Sequence, residues 1–332
     1  MRTSAYAVLS AGIILAGLVA PLVAAGEGDG ALKDEHVLAE SFTISSRRLA
    51  VEVMQPAHPL AAYRGPRFES GGLVLQVKLD GRHTFLGKEP RGKRLGGIGL
   101  CEEMGIDAAI GYDEAKPGEP FLKLGIGLIR RGERPKYSFY DALPDAERFL
   151  WQVRRTKHKA TFVQVGKPFR GIAYRYEKQV VLDPEKPVLR LEHELRNTGE
   201  KPIGTTQYCH NFLRFGDAPP GPDYLVTVGF PLKPRGEAPA MQFEGQTVRF
   251  RQVLTKPAYC QFDGQPPTAR THTLRVRNEK TGLEMVIGGD FPAAYMAYYA
   301  DTIALSPETF LAIEVAPGKT LRWTRTYTFG AK

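Results

Sequence analysis

Cysteine is scarce, with three residues in 332: Cys101, Cys209 and Cys260. Three thiols cannot all pair, so at most one internal disulfide forms and a disulfide-stapled scaffold is excluded. Their wide spacing also excludes a zinc knuckle. Long apolar runs are equally scarce: beyond residue 25 none is long enough to cross a bilayer as a helix. Fixed-period repeats, low-complexity tracts and a long linker after residue 40 are missing. So are several enzyme motifs. There is no complete Gly-x-x-x-x-Gly-Lys-Ser/Thr loop, and the glycine groups "GGIGL" and "KLGIGLIRR" do not sit between a strand and a helix. No Gly-x-Ser-x-Gly elbow occurs, and "HELRN" (193–197) lacks the second histidine of a metalloprotease helix. The seven histidines show no paired spacing, so no metal and no other cofactor is expected.

What is present begins with an address. Arg2, the run "AYAVLSAGIILAGLVA", Pro21 and the small residues ending at Ala25 follow the order of a secretory signal, with cleavage before Gly26. Residues 1–25 are therefore expected to be a signal peptide, 26–40 a flexible leader, and 41–332 a single domain. The expected location is secreted or periplasmic, with no stable membrane insertion after cleavage. The net charge is +9. Basic clusters at 129–136 and 154–159 are interleaved elsewhere with acids, and on an exported chain they suit solvated strand edges, where Lys and Arg discourage aggregation. No nucleic-acid partner is expected.

Glycine and proline are plentiful, at 35 and 25, and the apolar segments are short. Stretches such as "SFTISSRRLAVEVM", "GLVLQVKL", "IAYRYEKQVVL", "VLRLEHELRN", "HTLRVRNE" and "LRWTRTYTF" alternate with period two and carry branched and aromatic residues, which predicts strands. "DPEKP", "NTGEKP", "APPGPD" and "APGKT" are turn signals between them. The best helix candidate is "DALPDAERF". The pattern predicts an all-β fold, a large antiparallel sandwich or barrel.

The stretch "GTTQYCHNFLRFG" (204–216) places a histidine inside such a strand. Alternation puts Tyr208, His210 and Phe212 on one face, with Cys209 and Asn211 on the other. A Cys–His nucleophile pair is thereby excluded, and Cys209 reads as a small buried apolar residue. An aromatic-flanked imidazole suits a sugar ring, whose C–H face packs on aromatic rings while its hydroxyls seek polar partners. A buried, hydrogen-bonded core histidine is the bland alternative.

The segment 188–216, "VLRLEHELRNTGEKPIGTTQYCHNFLRFG", resembles the aldose 1-epimerase (galactose mutarotase-like) superfamily. The tail "FLAIEVAPGKTLRWTRTYTFG" resembles its last two strands, and "YRGPRFESGGLVLQVKLDG" its opening ones. The resemblance implies a β-supersandwich with a sugar or oligosaccharide in a concave cleft. It implies His210 as the proton donor to the ring oxygen and a late carboxylate, Glu308 in "ALSPETF", as the base on the anomeric hydroxyl, the two flanking the cleft from opposite sides. Glu314 is the rival acid, but its strand pattern turns it to solvent. Arg67, Lys123, Tyr208, Asn211 and Tyr298 are the substrate-binding candidates, with Tyr295 and Tyr299 as alternative stacking rings. Asn211 is included although alternation turns it away. Glu102 and Glu103 are weaker cleft candidates whose default is solvation. The family's earlier Asn-x-Leu-His-Gly-Gly-like element, which supplies a second histidine, is missing; "KLGIGLIRR" stands in its place. The leading expectation is anomer interconversion by an isomerase. The alternatives are a catalytically silent carbohydrate-binding protein and a polysaccharide lyase or glycosidase-related activity.

Overall fold

Apolar–polar alternation is cleanest between residues 159 and 197, and there the chain runs through three long antiparallel strands: Lys159–Phe169, Ile172–Leu182 and Val188–Asn197. In the middle one every second side chain is buried, as a sheet with one covered face requires. The computed structural model describes residues 40–56, 61–63, 65–87, 97–107, 109–141, 143–263 and 272–332. The expected signal peptide lies outside them, as does the leader apart from Glu40. The described residues contain strands and no helix.

Two sheets of ten strands form the body. The first runs in the order Ser41–Ser45, Leu49–Met54, Val74–Leu79, Leu100–Met104, Ile203–Asn211, Leu305–Val315, Tyr295–Ala300, Ala258–Asp263 and Lys233–Arg235, with His83–Thr84 beside Val74–Leu79. The second runs Met241–Glu244, Thr247–Phe250, Tyr224–Val228, His272–Asn278, Leu283–Gly289, Thr320–Ala331, Val188–Asn197, Ile172–Leu182, Lys159–Phe169 and Trp151–Arg155. Their neighbours pair antiparallel. Apolar side chains from both sheets meet in one core, among them Val51, Val77, Leu100 and Cys209 from the first and Val180, Leu189, Ile287 and Tyr327 from the second. This is sheet-on-sheet packing, with inward residues of both layers interdigitating. It is an all-β sandwich.

One expected element is replaced. "DALPDAERF" forms no helix: Asp145–Arg148 is a strand pairing with Gly127–Arg130 in a three-stranded sheet. Pro144 lacks the N–H a helix interior needs, and its carbonyl instead accepts a hydrogen bond from Arg130 N at 3.0 Å. The basic run at 154–159 spans an edge hairpin, since Trp151–Arg155 is the outermost strand of its sheet. All three cysteines are unpaired and buried.

Candidate functional site

The strand Ile203–Asn211 is central in the first sheet, between Leu100–Met104 and Leu305–Val315. Its alternation is the expected one. Tyr208, His210 and the following Phe212 line a cavity, while Cys209 sits in the core between the sheets. The register with the neighbouring strand runs from Ile203↔Val315 to Gln207↔Leu311. Continued by three residues, it sets His210 beside Glu308. Their side chains meet with Nε2 3.7 Å from Oε1. That is a correction: the two groups do not face each other across a cleft. They stand side by side on one floor, because neighbouring strands of one sheet carry them.

The cavity holds about 800 Å³, toward the roomy end of the ~300–1,000 Å³ typical of ligand pockets. Aromatic rings dominate its walls. Tyr208 stacks on Phe310 at 4.5 Å between centroids, and Phe310 on Tyr295 at 4.0 Å, forming a ladder along the floor. His210 stacks on Phe212 at 4.1 Å and meets Tyr299 edge-on at 5.2 Å. Gly97 makes the first stack possible: a Cβ there would lie 1.9 Å from the Phe212 ring. The polar groups of the wall are largely engaged. Tyr295 donates to Asp107 at 2.6 Å, and Gln261 donates to Tyr259 at 3.1 Å. His210 Nδ1 is buried without a hydrogen-bond partner.

Burial sets the charges of the pair. It pushes the Glu308 carboxyl up to about 8, against the hydrogen bond from Ser306 and the field of Arg67. Burial, joined by the Arg67 cation, holds His210 well below the usual imidazole range. At neutral pH the proton therefore resides on Glu308, and His210 is a neutral acceptor. The carboxyl is held by Ser306 Oγ, which donates to its Oε1 at 2.9 Å.

Behind the floor lies an ionic cluster built on Glu103. Its Oε2 accepts from Arg67 Nε at 3.0 Å and from the Tyr208 hydroxyl at 2.9 Å. Its Oε1 accepts from Lys123 Nζ at 2.8 Å and from Tyr137 at 3.4 Å. Burial alone would raise this carboxyl, but Lys123 and Arg67 outweigh it and hold Glu103 below its ordinary value. The preceding residue points the other way. Glu102 meets Lys178 at 2.5 Å, His193 at 3.3 Å and Arg325 at 3.4 Å, and Lys178 also pairs with Glu69 at 2.7 Å. Glu102 and Glu103, read by default as solvated, are both fully buried.

Of the sequence-derived candidates, Arg67, Tyr208, His210 and Glu308 line the one cavity. Three others do not. Lys123 is buried beneath the floor, bonded to Glu103 and Tyr137. Asn211 points to the other face, as alternation requires; its amide donates to Pro307 O at 2.7 Å and its Oδ1 accepts from Tyr327. Tyr298 is turned into the core against Phe250, whereas its neighbours in alternation, Tyr295 and Tyr299, reach the cavity. Glu314 is exposed, as its pattern indicated. Asp107, Phe139, Tyr259 and Gln261 were not anticipated; they come from separate loops and strands with no local pattern tying them to His210. Among the described residues, no group of three or more His, Cys, Asp or Glu side chains is placed to hold a metal ion.

No family model matches the chain, and no curated protein matches it in sequence. Solved structures do match it in shape. A putative aldose 1-epimerase from Escherichia coli K12 superimposes with a TM-score of 0.57 at 13% identity, over 88% of this chain and 99% of that one. A galactose mutarotase-related enzyme from Lactobacillus acidophilus gives 0.54 at 10%, over 88% and 97%. A galactose mutarotase-like protein from Lactobacillus casei gives 0.53 at 10%, over 87% and 100%. At such identities the likeness is one of fold: this chain carries the mutarotase-like sandwich along nearly all of its described length.

Proposed function

We propose that the protein is an exported carbohydrate-active isomerase that interconverts the anomers of an aldose by opening and reclosing its ring. The observation that carries this reading is the buried pair at the cavity floor, Glu308 and His210, with Oε1 and Nε2 3.7 Å apart; burial favours the protonated carboxyl and the neutral imidazole. Ring opening takes a proton from the anomeric hydroxyl and gives one to the ring oxygen. Both oxygens are bonded to C1, so a donor and an acceptor that stand side by side on one floor suit the task. Glu308 donates to the ring oxygen while His210 Nε2 accepts from the anomeric hydroxyl. The bond between C1 and the ring oxygen breaks and C1 becomes an aldehyde. After rotation about C1–C2, the ring oxygen adds to the other face and both protons return. This reverses the roles implied by the sequence resemblance, because burial disfavours the imidazolium–carboxylate state that those roles begin from.

The aromatic ladder offers apolar faces for the C–H side of a pyranose. The charged-apolar-small amino end, 1–25, supports export. Polarimetry on freshly dissolved aldoses tests the activity. The wild type accelerates anomer exchange, and His210→Ala lowers that rate by about 10²–10⁴, the usual worth of one proton-transfer partner. A wild type that binds sugars without accelerating exchange would leave a silent binding protein, a reading favoured by the ring-walled setting of His210.

A further inference from the structure

The two buried ionic clusters differ in their balance of charge. Between the sheets, the carboxylates Glu69 and Glu102 are set against the cations Lys178 and Arg325. Beneath the cavity, the single carboxylate Glu103 is set against both Arg67 and Lys123. Glu103 already accepts four donors, from Arg67, Tyr208, Lys123 and Tyr137, and its two oxygens have no capacity left. Glu308, the other buried acid of the cavity, is kept protonated by burial. Asp107 lies exposed at the rim and is bonded to Tyr295. Among the described residues one positive charge under the floor is therefore uncompensated, in a place where unpaired charge is costly.

Arg67 is the member of that cluster that reaches the cavity. Its Nε donates to Glu103 and its Nη2 to Tyr208, while Nη1 has no hydrogen-bond partner among the described residues. Aromatic rings cover the guanidinium: the Phe139 centroid lies 3.8 Å from Cζ and that of Phe68 4.5 Å away. The remaining Nη1 N–H bonds lie in the guanidinium plane, which is where a carboxylate oxygen binds.

We propose that the cavity selects an aldose bearing a carboxylate, a uronic acid in chemical terms, with Arg67 binding the anion and Lys123 supplying the surplus charge that makes it welcome. This rests on the carbohydrate reading above and adds the class of sugar. Titration calorimetry of the full chain at pH 7 and low salt tests it, with glucuronate and galacturonate against glucose and galactose, and with acetate as a carboxylate that is not a sugar. The uronates bind at least about tenfold more tightly than the matching neutral hexoses, as expected for one charge-assisted hydrogen bond. That margin shrinks as salt is raised, and acetate binds far more weakly than either uronate. In Lys123→Met, Glu103 and Arg67 neutralise each other and the margin falls to within about twofold. If that variant does not fold, the wild-type margin and its salt dependence still decide.

Neutral hexoses binding as tightly as uronates, acetate matching the uronates, or no binding by any sugar would each overturn the proposal. Uronate selection without accelerated anomer exchange would leave the proposal standing and remove the isomerase reading. Exchange of neutral hexoses without uronate selection would do the reverse.

Discussion

At the scale of single residues, the proposed chemistry depends on where one proton sits. His210 was legible because alternation alone put it on a face with Tyr208 and Phe212, and Glu308 because the family resemblance pointed to a late carboxylate. Their protonation was not legible, since it comes from burial that only the assembled cavity supplies. The sign of the pH dependence follows from it. In the proposed isomerase Glu308 must be protonated to donate, so anomer exchange is expected to fall as pH rises through about 8. His210 stays neutral through the neutral range, so the acid limb lies well below the usual imidazole value of 6.5. A rate that instead rises through pH 8 would make the Glu308 carboxylate the base. The same group bears on stability. Its folded value of about 8 exceeds the ordinary 4.5, so the unfolded chain loses this proton first as pH rises. Folding is therefore progressively disfavoured between those values and not further above them. Glu308→Gln removes this penalty. Melting curves across pH 5 to 8 should show the variant gaining on the wild type as pH increases, with exchange activity lost.

At the scale of the strand, period-two alternation decides which tyrosines face the cavity. Tyr295–Ala300 presents Tyr295 and Tyr299 to the cavity and Tyr298 to the core. The sequence "AAYMAYYAD" shows the aromatic content plainly but not its phase, because Met296 and Ala297 are apolar on both faces. Tyr299→Ala is expected to weaken sugar binding with a minor loss of stability. Tyr298→Ala is expected to cost roughly 3–5 kcal/mol, as large-to-small core changes do, with binding retained where the fold persists. Tyr298→Phe should be neutral or stabilising, since the buried hydroxyl has no partner. Denaturant melts and calorimetry separate the three. The long strands of the fold were readable for the same reason: alternating runs such as Ile172–Leu182 admit one phase only. Asp145–Arg148, read as part of the best helix candidate, is short and charged, and it owes its strand form to pairing with Gly127–Arg130.

At the scale of the whole molecule, the ionic cluster around Glu102 ties one sheet to the other. Glu102 belongs to the first sheet, while Lys178, His193 and Arg325 belong to the second. Arg325 also donates to Gln207 at 2.6 Å and to Thr309 at 2.9 Å, on the two strands that carry His210 and Glu308. Alternation places Lys178 in phase with Tyr176 and Val180, and Arg325 in phase with Trp323 and Tyr327, on the inward face of their strands. What no local pattern reveals is the set of partners on the facing sheet that makes their burial tolerable. Lys178→Met leaves Glu69 and Glu102 buried without their shared cation. It should cost about 3–5 kcal/mol in equilibrium unfolding, the range for breaking a buried pair from one side.

The three unpaired thiols are spread across this architecture. Cys101 lies on the strand of Glu102, Cys209 on the strand of His210, and Cys260 on a strand whose Tyr259 and Gln261 line the cavity. Each is sealed from water, so sulfur chemistry has to wait until the chain opens around it. Oxidants and alkylating reagents thus meet an inert surface while the sandwich is closed and three reactive points once it parts, and the molecule carries its own latent record of ever having come undone.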